Sequence, residues 1–118
     1  DFLRRPREVA SLVPSSRFLE RKLVREADLS DASIVVELGP GTGGTTRACL
    51  SALPPRARML LIEINPRFAN LIRTNLQDPR VIVQEGDAQN LCGILKCHGL
   101  PAPDVIVSGI PFSTIFVV

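Results

Sequence analysis

Acidic residues and glycines at the ends of apolar runs are the groups in this sequence that could bind a ligand. A carboxylate has two oxygens with about four lone-pair positions, so it can accept hydrogen bonds from both hydroxyls of a ribose. Glycine tolerates positive φ and has no Cβ, so a glycine-rich loop turns sharply and lets backbone N–H groups approach a ligand. This combination predicts binding of a nucleotide-like molecule. The residues concerned are Glu37, Gly39, Gly41, Gly43, Glu63 and Asp87.

The spacing of the glycines fits more than one cofactor. Gly39, Gly41 and Gly44 also satisfy the G-x-G-x-x-G fingerprint of dinucleotide-binding proteins, which expects an acidic residue roughly 20 positions later. Glu63 meets that expectation and would equally hold the ribose of another nucleoside. A glycine turn without a ligand is the remaining alternative.

The third acidic position has a different predicted task. Asp87 could accept a hydrogen bond from the exocyclic amine of adenine, while Ala88 leaves room for the ring. The alternative is a simple aspartate turn or helix N-cap.

The elements that must position these residues follow from periodicity and breakers. Apolar runs predict strands at 33–38, 58–64, 80–85 and 104–108. Helices are predicted from about 16 to 28, at 45–53, from Pro66 to the Asp78-Pro79 break, and at 91–96. Strands alternating with helices predict an α/β fold, a Rossmann-like parallel sheet with helices on both faces, and ligands in such sheets bind beyond the carboxyl ends of the strands.

Length and composition indicate one domain, residues 1–118, with 45% hydrophobic residues and a net charge of +2. No secretory signal or membrane-length apolar run is visible, which predicts a cytoplasmic location. Three cysteines are an odd number, as expected of reduced thiols. Cys92, Cys97 and His98 have no fourth ligand nearby, so no metal site is expected.

The amino-terminal residues 1–14 form a basic, amphipathic leader, and half of the 14 basic residues of the chain lie within residues 1–25. If residues 7–13 are helical, an apolar stripe lies beside a basic face, which suits an anionic surface of lipid or nucleic-acid phosphates. A solvated helix that covers the core is the alternative.

The strand end and glycine loop have the sequence Glu37-Leu38-Gly39-Pro40-Gly41-Thr42-Gly43. This run looks like the first motif of the class I S-adenosylmethionine-dependent methyltransferases, which residues 15–113 resemble. The resemblance implies that S-adenosyl-L-methionine is the cofactor, with its methionine part near Gly39 and Gly41 and adenine between Ile64 and the Asp87-Ala88 pair. It also implies that Glu37 organises the loop and the amino end of the cofactor. Nicotinamide enzymes do not require this combination of acidic residues, which disfavours a dehydrogenase.

The segment Ser108-Gly109-Ile110-Pro111-Phe112 can be compared with the corresponding motif of two branches of that family. Ribosomal RNA adenine dimethylases carry Asn or Asp where this chain has Gly109, and glycine cannot accept a hydrogen bond from the target amine through a side chain. The bacterial phospholipid N-methyltransferases are more similar, with Pro-Ser-Ser around Ser15, Ser-Gly-x-Pro after the fourth predicted strand, and a basic leader.

The resemblance therefore implies methylation of a phospholipid amine such as phosphatidylethanolamine, by a protein that is cytoplasmic or peripheral on the inner membrane face. Ser108, Gly109, Pro111 and Phe112 would form the catalytic segment, and Ser15 would contact the cofactor. The Phe112 ring could face the substrate ammonium, or it could be a core residue. The alternatives are ribosomal RNA adenine N6-dimethylation and a cofactor-binding remnant without activity.

The family's sheet usually has seven strands, and this chain ends shortly after the fourth predicted one. An apolar edge at 104–108 is therefore expected to be exposed and to invite pairing with another chain. The chain is expected either to be a fragment or to associate through that edge.

Overall fold

A parallel sheet of five strands organises the computed structural model, which describes residues 8–11 and 29–108. The strands are β1 (Glu8–Ser11), β2 (Ile34–Leu38), β3 (Arg58–Glu63), β4 (Val81–Glu85) and β5 (Val105–Ser108). The helices are α1 (Gly44–Ala52), α2 (Pro66–Asn75) and α3 (Leu91–Cys97), with 3-10 turns at Leu29–Asp31 and Ala88–Asn90. The predicted α/β fold is confirmed, and the predicted elements within 33–108 lie close to their expected bounds.

The strand order is β1-β5-β2-β3-β4, and all neighbouring strands are parallel. Leu38 at the end of β2 pairs with Ile62 on one side and with Ser108 on the other. Glu63 at the end of β3 pairs with Glu85 of β4. This register brings the carboxyl ends of β2 to β5 to one edge of the sheet, where the glycine loop also begins.

Alternate residues of the central strands build two hydrophobic clusters, one on each face of the sheet. The first cluster packs Val35, Met59, Leu61, Val105 and Val107 against residues of α1 and α2. The second cluster packs Val36, Leu38, Leu60, Ile62 and Ile106 against residues that include Leu91 and Leu95 of α3. Helices therefore cover both faces, as the sequence predicts.

A helix over residues 7–13, which is the condition for an amphipathic stripe, does not form at Glu8–Ser11, because these residues form β1 and pair with β5. The outer edge of β5 offers backbone N–H and C=O groups that need partners, and a parallel strand supplies them. Pairing with a distant strand thus overrides the local helical pattern. The expectation that the 104–108 edge is exposed is wrong for the same reason, because β1 covers it. The helix predicted from about 16 to 28 lies outside the described residues.

An arginine clamp, formed by Arg80 with Asp78, Leu50 and Leu53, joins the carboxyl end of α1 to the start of β4. It lies at the amino-terminal ends of the strands, opposite the end that carries the glycine loop. Arg80 Nη1 donates to the carbonyl oxygens of Leu50 (3.0 Å) and Leu53 (2.9 Å) at the carboxyl end of α1. Arg80 Nη2 and Nε donate to the two carboxylate oxygens of Asp78, at 2.7 and 3.0 Å. The side-chain hydrogen bond from Arg80 is the main reason that the pKa of Asp78 is lowered from 3.8 to about 2.

Within the described ranges, no helix combines the length and apolar character needed to cross a lipid bilayer. Cys49 is buried in the first cluster, Cys92 is half-buried and Cys97 is exposed. No group of three or more potential metal ligands occurs in the part of the chain that the structure describes.

Candidate functional site

The glycine loop between β2 and α1 has the backbone conformation that its composition predicts. Gly39, Gly41 and Gly43 have φ values of 69°, 58° and 92°, in the left-handed region that side chains disfavour. Gly39 N donates to Ile62 O at 2.9 Å, which fixes the start of the loop against β3. Gly44 is instead the first residue of α1. The positive φ values therefore follow the spacing G-x-G-x-G and not G-x-G-x-x-G.

Glu63, the last residue of β3, is the side chain that connects this loop to the next. The residue is only 5% exposed, and each of its carboxylate oxygens accepts one backbone N–H. Oε1 accepts from Gly41 N and Oε2 from Asn65 N, both at 2.9 Å. Since a carboxylate has about four lone-pair positions, roughly two are left for hydroxyl groups of a ligand.

The buried carboxylate of Glu37 has a different environment. Its Oε1 accepts a hydrogen bond from the hydroxyl of Thr46, a fully buried residue of α1. Glu37 thereby ties β2 to α1 beneath the glycine loop, which agrees with an organising role. Contact of Glu37 with the amino end of a cofactor stays a prediction, since the residue is absent from the lining of the cleft described below.

The segment after β4 closes the other side of the site. Gly86 N donates to Glu63 O at 2.9 Å, so the turn begins in register with β3. Asp87 Oδ1 accepts from Gln89 N at 2.9 Å and caps the 3-10 turn Ala88–Asn90. The N-cap alternative for Asp87 is therefore correct, and the side chain also lines the cleft.

These segments enclose a cleft of about 410 Å³ at the carboxyl ends of the strands. That volume lies within the range of about 300 to 1,000 Å³ that is typical of small-molecule sites. Ile64 is 67% exposed, a high value for a large apolar side chain, and it lies on this cleft. A Cβ added to Gly41 would find no atom within 4 Å, so the loop leaves free space on that side. The lining consists of Gly39, Gly41, Ile62, Glu63, Ile64, Phe68, Gly86, Asp87, Ala88 and Gln89.

Most predicted cofactor residues therefore meet at one site. Gly43 is not part of the cleft lining; it is the N-cap of α1. Ser108 is fully buried at the end of β5, beside Leu38 of β2, and does not line the cleft. Ser15, Gly109, Pro111 and Phe112 lie outside the described residues, so their predicted roles stay predictions.

Apart from Gly86, which directly precedes the predicted Asp87, sequence patterns missed three residues of the cleft lining. Phe68 has the helical spacing of a core residue, and Gln89 lies in an irregular stretch without periodicity. Ile62 is an ordinary strand residue by pattern. The one usable signal was position, because all three lie within five residues of a predicted strand end.

No protein-family model matches the chain. It is 38% identical over 111 residues to an ornithine lipid N-methyltransferase of Singulisphaera acidiphila, an alignment that covers 93% of this chain and 58% of the relative. It is 35% identical over 95 residues to the ribosomal RNA small subunit methyltransferase A of Caulobacter vibrioides, covering 79% of this chain and 34% of the relative. The chain is a homologue of S-adenosylmethionine-dependent methyltransferases.

A solved structure supports the fold independently. The O-methyltransferase of Bacillus cereus, in complex with SAH, superposes with a TM-score of 0.71 at 20% identity, over 81% of this chain and 46% of that one. At this identity the likeness shows the class I methyltransferase fold alone. The chain spans 58% and 34% of the lengths of the two methyltransferase relatives above.

Proposed function

We propose that this chain is the cofactor-binding part of an S-adenosylmethionine-dependent N-methyltransferase whose acceptor is the amine of a membrane lipid. The observation that carries the proposal is the environment of Glu63, a buried carboxylate that faces the cleft with lone pairs to spare. Its two backbone hydrogen bonds fix it in place before any ligand arrives. Preorganisation of this kind lowers the entropic cost of binding.

The parts of the cofactor can be assigned to parts of the cleft. The ribose hydroxyls would be accepted by Glu63. Adenine would lie against Ile64, with its exocyclic amine toward Asp87 and its ring over Ala88. The methionine part would lie along the backbone of Gly39 and Gly41, and the open space beside Gly41 leaves room for it.

When bound, S-adenosylmethionine supplies an electrophilic methyl group on a sulfonium. The residues that line the cleft would hold the nucleoside and position it for transfer of the methyl group. No side chain needs to form a covalent bond. The acceptor would be held by the segment that follows Ser108, which lies outside the described residues.

Two observations favour a lipid as acceptor. The lipid-methylating relative aligns over 93% of this chain, whereas the ribosomal RNA methyltransferase of Caulobacter aligns over 79%. Gly109 also stands where the adenine dimethylases carry Asn or Asp. Phosphatidylethanolamine and ornithine lipid are the two amine lipids to compare.

Ribosomal RNA adenine N6-methylation is the second candidate, because relatives named as ribosomal RNA small subunit methyltransferases match the chain at 30% identity or more. Transfer of labelled methyl groups should be measured from S-adenosylmethionine to vesicles of either lipid and to ribosomal RNA. Labelled lipid supports the first candidate and labelled RNA the second. A chain that binds the cofactor but labels no acceptor would be a cofactor-binding unit only.

The cofactor site is tested first, by calorimetry with S-adenosylhomocysteine. Glu63→Ala removes the acceptor of the ribose hydroxyls and should weaken binding by about 1.5 to 3 kcal/mol, the usual value for hydrogen bonds to a charged group. Glu85→Ala is the matched control, since Glu85 pairs with Glu63 in the neighbouring strand but is exposed and outside the cleft lining. Equal affinities of the two variants would remove Glu63 from the site.

A further inference from the structure

Phe68 occupies a position that the apolar pattern of α2 does not explain. It shares helical spacing with Leu71, Ile72 and Leu76, and of these Ile72 and Leu76 pack in the first core cluster. Phe68 belongs to neither core cluster of the described residues, although it is half-buried. Its neighbourhood is the cleft, which it lines together with Glu63 and Ile64.

The start of α2 fixes Phe68 relative to the Glu63 carboxylate. Glu63 Oε2 accepts from Asn65 N, and Asn65 Oδ1 accepts from Arg67 N, both at 2.9 Å. Pro66 occupies the first helical position, where its fixed φ favours the helix. The two hydrogen bonds and Pro66 therefore restrict the backbone between Glu63 and Phe68, which are only five residues apart.

The remaining walls of the cleft are suited to a flat heterocycle attached to a sugar. Ile62, Ile64 and Ala88 are apolar, while Gly86 and the glycine loop add backbone without side chains. An apolar aromatic side chain beside the carboxylate covers carbon atoms of the ligand while the hydroxyls reach the oxygens. Aromatic rings contribute large apolar contact areas of this kind.

We propose that Phe68 is a cofactor-contacting residue whose ring packs against the adenosine part of the ligand, on the side of Glu63. The proposal rests on the proposed function, because it takes the ligand of the cleft to be S-adenosylmethionine or its demethylated product. It assigns to α2 a contact with the nucleoside in addition to that helix's packing on the sheet.

A tryptophan placed at the position tests the contact directly. The chain contains no tryptophan and no tyrosine, so Phe68→Trp introduces a single indole whose fluorescence reports its own surroundings. S-adenosylhomocysteine and adenosine should each change that emission, whereas methionine should not. Leu71→Trp, on the same helix at a residue that is 52% exposed and outside the cleft lining, is the control and should give no response.

Affinity gives a second, independent measurement. Phe68→Ala should weaken the binding of S-adenosylhomocysteine about tenfold, Phe68→Leu should weaken it less, and Leu71→Ala should leave it unchanged. An unaltered dissociation constant in a folded Phe68→Ala variant would overturn the assignment. If that variant fails to fold, a silent indole in Phe68→Trp that still binds the ligand by calorimetry would overturn it instead.

The failure of this inference differs from the failure of the proposed function. If the unmodified chain binds S-adenosylhomocysteine but neither Phe68 measurement responds, the function stands and the contact is refuted. If the unmodified chain does not bind S-adenosylhomocysteine at all, the proposed function is refuted together with the contact.

Discussion

At the scale of single residues, the candidate site is built on buried carboxylates that hold the protein's own backbone and helices in place. Glu63 holds Gly41 through one oxygen and Asn65 through the other, so it fixes both the glycine loop and the start of α2. Glu37 accepts a hydrogen bond from Thr46 and so joins the end of β2 to α1. Loss of either carboxylate should therefore disturb the glycine loop or the helices beside it, and loss of Glu63 should also remove a carboxylate from the cleft lining.

Gly41 and Gly93 allow the strain of a left-handed backbone conformation to be measured without a steric clash of the added Cβ. A Cβ would meet no atom within 4 Å at Gly41 or at Gly93, but only Gly41 has a positive φ. Gly41→Ala should lower the free energy of unfolding by about 1 to 2 kcal/mol, because L residues are strained in the left-handed region. Gly93→Ala, within α3, should raise it by about 0.5 to 1 kcal/mol.

Chemical denaturation of the two variants against the unmodified chain gives both values. Opposite signs are the expected result. If both substitutions stabilise, the loop does not hold Gly41 at φ 58° in solution.

Residue types at strand ends could be predicted from the sequence, whereas neighbours across the cleft could not. The acids and glycines stood out because their chemistry is unusual after an apolar run. Phe68 and Thr46 did not, because a helical stripe and a buried hydroxyl look the same whether or not they adjoin a site. What distinguishes them is that Phe68 lines the cleft together with Glu63 and that Thr46 donates a hydrogen bond to Glu37, and local periodicity records neither relation.

At the scale of elements, α1 is held at both ends by groups from other parts of the chain. Its amino end begins at the glycine loop, and its carboxyl end is capped by Arg80 from the start of β4. Since the free carbonyls at a helix terminus need donors, a half-buried arginine there should contribute more than a surface ion pair.

Arg80→Ala should therefore destabilise the fold by about 1.5 to 3 kcal/mol, through loss of hydrogen bonds from a charged donor to Leu50, Leu53 and Asp78. Arg56 pairs with Asp31 at 3.5 Å, with side chains that are 64% and 80% exposed. Arg56→Ala is the matched control and should cost less than about 1 kcal/mol. Similar losses in both variants, measured by urea denaturation, would show that the clamp contributes no more than a surface pair.

The same clamp predicts how stability depends on pH. The pKa of Asp78 is about 2 in the folded chain, below its ordinary value of 3.8, so the ionised form is favoured by folding. Its contribution is complete above about pH 4 and disappears as the pH falls through 2. Because the Asp78 side chain is 22% exposed, we expect its ionised form to contribute about 1 to 2 kcal/mol to the free energy of unfolding.

Asp78→Asn should consequently be less stable than the unmodified chain at pH 5, and the difference should shrink as the pH is lowered from 4 toward 2. Urea denaturation at several pH values measures it. A difference that stays constant down to pH 2 would show that the carboxylate charge is not the stabilising feature.

At the scale of the whole molecule, the alternation of apolar runs and helical stripes was enough to predict the sheet, because each central strand is buried on both faces. The position of β1 could not be predicted that way. Its four residues pair with β5, from the opposite end of the described chain, and no local periodicity records such a partner. The basic residues around it favoured a helical interpretation, which backbone pairing with β5 overrode.

Removal of β1 tests what that strand contributes to the molecule. Without residues 1–12, β5 would become the edge of the sheet and would present unpaired N–H and C=O groups beside a buried, apolar strand. Such an edge pairs readily with another chain. The shortened chain should therefore self-associate in multi-angle light scattering at concentrations where the unmodified chain is monodisperse.

Addition of a synthetic peptide of residues 1–14 should reverse the association, because the peptide can pair with β5 as β1 does. A peptide of the same composition in scrambled order is the control and should have no effect. If the shortened chain keeps the molecular mass and the unfolding free energy of the unmodified one, pairing between β1 and β5 contributes nothing in solution. Reversal by the ordered peptide alone would establish that the amino-terminal strand completes the sheet next to the predicted substrate segment.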